Sequence, residues 1–120
     1  MKFDIRERAK KFAVRIIALV KKLPKDVAGF ELGKQLIRSG MSIGANLEEA
    51  DAASSRKDFF HKVSISYKEA RESRYWLELI IDAKLVMNEI NIKEVEDLKN
   101  EAIELSKILF TIIGNKIEKE

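Results

Sequence analysis

Apolar residues return at steps of three and four along four separate stretches of this chain, with no strand-like alternation anywhere. That spacing gathers apolar side chains on one side of an α-helix. Ile5, Ala9, Phe12, Ile16, Val20 and Leu23 mark the first stretch, and Leu32, Leu36, Ile43 and Leu47 the second. Phe59, Val63, Tyr67, Ala70, Leu77 and Ile81 mark the third. In the fourth, Val95, Leu98, Ala102, Leu105, Leu109 and Ile112 alternate threes and fours, the seam of a left-handed bundle. Four amphipathic helices with short connections lie antiparallel to their neighbours. The expected fold is therefore all-α, an up-down-up-down antiparallel four-helix bundle forming one domain across residues 1–120.

Local signals set expected boundaries. Asp4 with Glu7 has capping-box spacing and opens a helix that reaches Leu23, where Pro24 stops it. The second helix is expected over about 30–53. It is interrupted by Gly33, Gly40 and Gly44, each costing roughly 1 kcal/mol relative to Ala. Close approach of a neighbouring helix is the simplest reason to keep them, with a kink or a ligand-facing surface as the other. Ser55 with Asp58 opens a third helix, expected to be the longest and to reach Met87. Residues 88–91 form the last connection, Asn91 with Glu94 caps the fourth helix, and Gly114 is its expected stop.

Composition narrows the function classes. At 46% hydrophobic, 120 residues can bury a core without metal or disulfides. No cysteine is present, which removes disulfide frameworks, thiolate zinc sites and thiol nucleophiles. No apolar run approaches the ~20 residues that span a bilayer. Residues 1–4 lack a secretory layout, so a cytoplasmic protein with no membrane partner is expected.

Catalytic chemistry finds no footing. His61 is the lone histidine, three residues after Asp58, too small a set for a di-iron bundle; no metal and no cofactor is expected. The serines fall within or just before helices, none in a strand-turn-helix elbow. Adjacent Glu48 and Glu49 point about 100° apart on a helix and do not form an acid-base dyad. Gly40 and Gly44 lie inside a helix with no Lys-Ser or Lys-Thr following, so no phosphate loop is present. Ser42 and Asn46 stand one turn apart near the buried face of the second helix. A polar pair there suits a structural hydrogen bond holding register, or else a ligand.

Charge is distributed unevenly. The total is +3, yet residues 1–25 carry +7, residues 26–53 carry −3, residues 54–87 carry +2 and residues 88–120 carry −3. On the first helix Arg8, Lys11, Arg15 and Lys22 fall within about 60° of one another, flanked by Lys10, Lys21 and Lys25. A positive ridge of this kind suits phosphate, which binds by charge without base-specific groups. The competing reading is a solvated face that pairs with the acidic second and fourth helices. No aromatic platform stands beside the ridge, so stacking of single-stranded bases is not expected. Apolar residues also spill past the main seams: Phe60, Ile65, Trp76 and Ile80 on the third helix, and Ile103, Ile108, Phe110 and Ile113 on the fourth. Either the core face is wide or these residues meet a second subunit.

One further pattern is shared with a known family. The stretch 42–50 (Ser-Ile-Gly-Ala-Asn-Leu-Glu-Glu-Ala), then Ser54-Ser55-Arg56-Lys57-Asp58-Phe59, then Lys68-Glu69-Ala70-Arg71-Glu72-Ser73 with Tyr75-Trp76-Leu77, resembles the 23S rRNA intervening-sequence protein family. The Pro24 turn and the run Leu36-Ile37-Arg38-Ser39 match its layout as well. The resemblance implies a four-helix bundle, often a barrel-shaped homopentamer, encoded inside rRNA intervening sequences or as a free-standing gene. It extends to the accessory protein of diversity-generating retroelements, a basic barrel thought to bind nucleic acid and reverse transcriptase. The family brings no catalytic residues. The leading expectation is a small oligomeric bundle that binds structured RNA or DNA through Arg8, Lys11, Arg15 and Lys22, helped by Arg56 and Lys57. The alternative is a structural or protein-interaction module whose basic helix meets an acidic protein partner or a neighbouring subunit.

Overall fold

The computed structural model describes residues 3–119, with side chains from 5 to 115. Four helices follow one another: α1 (Phe3–Val20), α2 (Val27–Asp51), α3 (Arg56–Asp82) and α4 (Glu89–Lys119). Among the described residues there is no strand. Each helix packs on its neighbours in a closed cycle α1–α2–α3–α4–α1, while α1 and α3 stand at opposite corners. The bundle measures 48 × 20 × 20 Å.

The core runs at heptad spacing through every helix. Ile5, Ala9, Phe12, Ile16, Leu19 and Leu23 face inward from α1 and its exit turn, and all are buried. Leu19 takes the place expected for Val20, which is only half-buried. On α2 the repeat is Gly29, Gly33, Leu36, Gly40, Ile43, Leu47 and Ala50. A Cβ on Gly29 would stand 1.8 Å from the Pro24 carbonyl oxygen, and one on Gly40 would meet Ile16 side-chain atoms at 3.1–3.4 Å. With Gly33 against Val20 and Gly44 against Ala9, these glycines let α1 lie directly on the α2 backbone.

On α3 the buried positions are Phe60, Val63, Ser66, Ala70, Ser73, Leu77 and Ile80, so two serines sit where aliphatic side chains are usual. Ser66 Oγ donates to the Ile43 carbonyl at 2.8 Å, and Ser73 Oγ donates to Ser39 Oγ at 2.9 Å. Ser39 Oγ in turn donates to the Leu36 carbonyl at 3.4 Å. Each fully buried hydroxyl is thereby partnered, as burial demands. The small side chains also let α2 and α3 approach closely.

Helix ends differ from the expected ones in instructive ways. Asp26 caps α2 by accepting from the Gly29 amide at 2.8 Å, so the helix starts at Val27, three residues before the expected Phe30. Ser55 caps α3 as expected, accepting from the Asp58 amide at 3.0 Å. Helix α3 stops at Asp82 rather than Met87, because Lys84 turns to φ 57° and closes a Schellman motif. In it the Leu85 amide reaches the Ile80 carbonyl and the Lys84 amide reaches the Ile81 carbonyl, both at 3.0 Å. The cap of α4 is Asn88, whose Oδ1 accepts from the Asn91 amide at 2.8 Å; Asn91 itself lies within the helix. Gly114 does not stop α4, which continues to Lys119 and, at 31 residues, outlasts the 27-residue α3. The expected Asp4 cap rests on a side chain outside the described residues.

Candidate interaction surfaces

The two arginines of the sequence ridge on α1 enter inter-helix ion pairs. Arg8 grips Glu101 of α4 through two parallel bonds, Nε to Oε2 at 3.0 Å and Nη2 to Oε1 at 2.6 Å. One heptad on, Arg15 Nε meets Glu94 Oε1 at 3.2 Å. Toward the other neighbour, Arg6 donates to both Glu48 oxygens at 3.2 and 2.6 Å and to Asp51 Oδ2 at 3.0 Å. This fork holds the Glu48 carboxyl below its ordinary range, the hydrogen bond from Arg6 being the main cause. The same hydrogen bond raises the Arg6 guanidinium. Of the two sequence readings, the arginines follow pairing with the acidic helices.

The remaining expected contact residues do not form one surface. Lys11 and Lys22 are exposed, and among the described residues no carboxylate stands within ion-pair distance of either. Lys22 lies at the α1–α2 turn, whereas Arg56 and Lys57 open α3 at the opposite end of the bundle. The Arg56 guanidinium sits 5.2 Å from the Phe60 ring centroid, and Lys57 is exposed. Ser42 and Asn46 do not bond side chain to side chain. Ser42 Oγ donates to the Arg38 carbonyl at 2.6 Å and Asn46 Nδ2 to the Ser42 carbonyl at 2.9 Å, both within α2. The polar register pins between helices are instead Ser39, Ser66 and Ser73. His61 is exposed, and among the described residues no three His, Cys, Asp or Glu side chains gather around one point. No described helix is long and apolar enough to cross a membrane.

The apolar residues left over from the seams divide. Phe60 and Ile80 join the core, and Ile65, Trp76, Ile103, Ile108 and Ile113 are half-buried. Phe110 stays 61% exposed, a large share for an aromatic ring, and it is the centre of a groove between α3 and α4. The groove encloses about 490 Å³. Its floor is the tilted pair Tyr67–Phe110, ring centroids 5.7 Å apart, beside Ile103. Arg71 Nη1 donates to Tyr67 Oη at 3.1 Å, and among the described residues no carboxylate reaches Arg71. Arg74 and Lys107 stand on the rim, leaning on Glu78 at 3.3 Å and Glu104 at 3.7 Å. Tyr67 was legible only as a core position. Its half-exposure follows from Ser66 holding the inward position next to it.

A second groove of about 400 Å³ lies between α1 and α2. Ala9, Ala13, Gly44 and Ala45 make it shallow, and Val14 and Met41 project beside it, 60% and 47% exposed. The Arg6–Glu48 pair closes one end.

Comparison with known proteins places this geometry among relatives. The family model described as 23S rRNA-intervening sequence protein matches residues 1–111. No curated protein sequence matches the chain. A crystal structure of a protein of unknown function from the S23 ribosomal protein family of Bacteroides thetaiotaomicron superposes with a TM-score of 0.81. It is 41% identical, over 91% of this chain and 97% of that one. The chain belongs to the 23S rRNA-intervening sequence protein family.

Proposed function

We propose that this protein is a non-catalytic assembly module, a helical bundle that self-associates by covering the α3–α4 groove with another protein surface. The observation that carries the reading is the exposed Phe110 ring, paired with half-buried Tyr67 beside Arg71. Tyr, Phe and Arg are among the residue types enriched at protein interfaces. The intramolecular pairing of Arg8 and Arg15 supports the same reading, since a guanidinium held by a carboxylate has less to offer a phosphate.

Native mass spectrometry across a concentration series tests it. Wild type is expected as an oligomer, and Phe110→Asp, at a largely exposed position, is expected as a folded species of lower order. A wild type that stays monomeric at high micromolar concentration would sink the proposal.

A second reading keeps nucleic acid. It rests on Lys21, Lys22 and Lys25, which crowd the α1–α2 turn, are exposed, and among the described residues form no ion pair. Structured rRNA and a DNA duplex are the ligands to try over a salt series, with Lys22→Glu against Arg15→Glu. Phosphate contacts would give affinity that falls steeply with salt and is lost in Lys22→Glu.

A further inference from the structure

The four most exposed large apolar side chains among the described residues lie at one end of the bundle. Val27 is 86% exposed, Ile90 80%, Met87 75% and Phe30 63%. Val27 and Phe30 open α2, and Met87 and Ile90 flank the start of α4. Successive helices run in opposite directions, so the α1–α2 and α3–α4 turns share this end. The α2–α3 turn at the far end reads Ala52-Ala53-Ser54-Ser55 and offers no large apolar side chain.

Cations crowd the same end. Lys21, Lys22 and Lys25 stand in the α1–α2 turn and Lys84 in the α3–α4 turn. All four are exposed, and among the described residues no carboxylate stands within ion-pair distance of any of them. The acids of this end are Asp26, Glu31, Asp82 and Glu89. Asp26 is occupied in capping α2, and Glu31 accepts from Gln35 Nε2 at 3.3 Å. Lysine stems carry their charge well beyond the backbone, whereas Asp26 and Asp82 keep theirs close to it.

Neither groove described above includes any of the four apolar residues. They project separately from two turns at the tip of a rod 48 Å long and 20 Å across. A rigid protein partner would need a recess for each. A lipid headgroup layer yields to them, takes apolar side chains at its acyl boundary, and offers phosphates to the lysines beside them. We infer that this end of the bundle docks on an anionic bilayer surface, its four apolar side chains entering the headgroup layer and its four lysines reaching lipid phosphates. The contact is peripheral and needs no spanning segment, so it is compatible with helices too polar to cross. The α3–α4 groove takes no part, and the inference stands apart from the assembly reading. It does claim the three lysines that the nucleic-acid reading uses, and the test separates the two.

Co-sedimentation with vesicles of phosphatidylcholine mixed with phosphatidylglycerol, beside vesicles of phosphatidylcholine alone, makes the test. Wild type is expected to partition onto the mixed vesicles and more weakly onto the neutral ones, with salt reducing the difference. The double variant Val27→Asp/Ile90→Asp puts carboxylates in the first turns of α2 and α4, where the helix dipole favours them. The bundle should therefore fold, which circular dichroism checks. Its partition onto mixed vesicles is expected to fall by roughly tenfold or more. Lys57→Glu, at the far end, lowers the net charge by the same amount and is expected to bind as wild type does. A wild type that stays in the supernatant with mixed vesicles at low salt overturns the inference. So does a double variant that binds as tightly as wild type, or no more weakly than Lys57→Glu, since diffuse charge would then account for the binding. Affinity for a structured rRNA fragment that is lost in Lys22→Glu and kept in the double variant, with no vesicle binding, gives the lysines to nucleic acid and overturns it as well.

Discussion

Lys84 holds a left-handed backbone conformation, φ 57°, that L-residues enter at a cost of roughly 1–2 kcal/mol. Glycine enters it freely and is the usual occupant of this position in a Schellman motif. Its extra flexibility in the unfolded chain offsets part of the gain, about 0.5–1 kcal/mol. Lys84 is exposed and makes no ion pair among the described residues, so little else is lost on replacement. Lys84→Gly is therefore expected to stabilise by about 0.5–1 kcal/mol, seen as a higher urea midpoint with an unchanged slope. An unchanged or lower midpoint would mean that the lysine stem contributes packing. The same residue shows why the α3 end was misread. Leu85 and Val86 continue the apolar pattern past the helix, and neither glycine nor proline marks the turn. Ser66 and Ser73 were legible in principle, since they fall on the threes and fours of Val63, Ala70, Leu77 and Ile80. A search for apolar residues passes over serines, and only the facing Ile43 carbonyl and Ser39 hydroxyl make them suitable for burial.

Between elements, the charged contacts fall into two kinds with opposite responses to acid. Glu48 of α2 is held below the ordinary carboxylate range, chiefly by its hydrogen bond from Arg6 of α1. Glu69 of α3 is pushed above that range, chiefly by burial, although Arg38 of α2 stands 3.2 Å away and pulls the other way. A depressed carboxylate contributes stability above its unfolded value, near ~4.3, and that contribution is lost as pH falls through the folded value. A raised one carries a cost at neutral pH that disappears as pH falls through its folded value. Glu48→Gln is thus expected to be less stable than wild type at pH 7, and Glu69→Gln more stable. Both differences should shrink as pH is lowered through the carboxylate range. Urea midpoints for the three proteins, at steps from pH 7 to the lowest pH at which they fold, check the two signs. At this scale the four helices were legible because each carries a heptad stripe. The fate of the basic ridge was not. Whether Arg8 and Arg15 meet water or Glu101 and Glu94 depends on the register of α1 against α4, which core packing sets and the sequence of either helix does not.

For the molecule as a whole, what the sequence exposed and what it concealed have one cause. Heptad stripes specify which side of each helix faces the common core, so the bundle followed from periodicity alone. They leave open how far neighbouring helices spread on the outside, and that decides whether a second stripe is covered. Phe60 and Ile80 were drawn into the core, whereas Phe110 was left on the outer edge with Tyr67. Along α1 and α2 the residues that allow the closest approach, Gly33, Gly40 and Gly44, also bring the helix backs together. Val14 and Met41 then project beside a shallow groove. Stability should carry the mark of any partner that covers these faces. A bundle 20 Å across leaves much of its chain near solvent, and association that buries the α3–α4 groove favours the folded form by mass action. The thermal midpoint of wild type is therefore expected to climb with protein concentration, by several degrees over a hundredfold range. Phe110→Asp should show a midpoint that does not move over the same range and that meets the wild-type value at high dilution. Differential scanning fluorimetry from micromolar to hundreds of micromolar makes the comparison. A wild-type midpoint independent of concentration would mean that the folded bundle draws no stability from its own copies. The exposed Phe110 ring would then have to be explained by a partner of another kind.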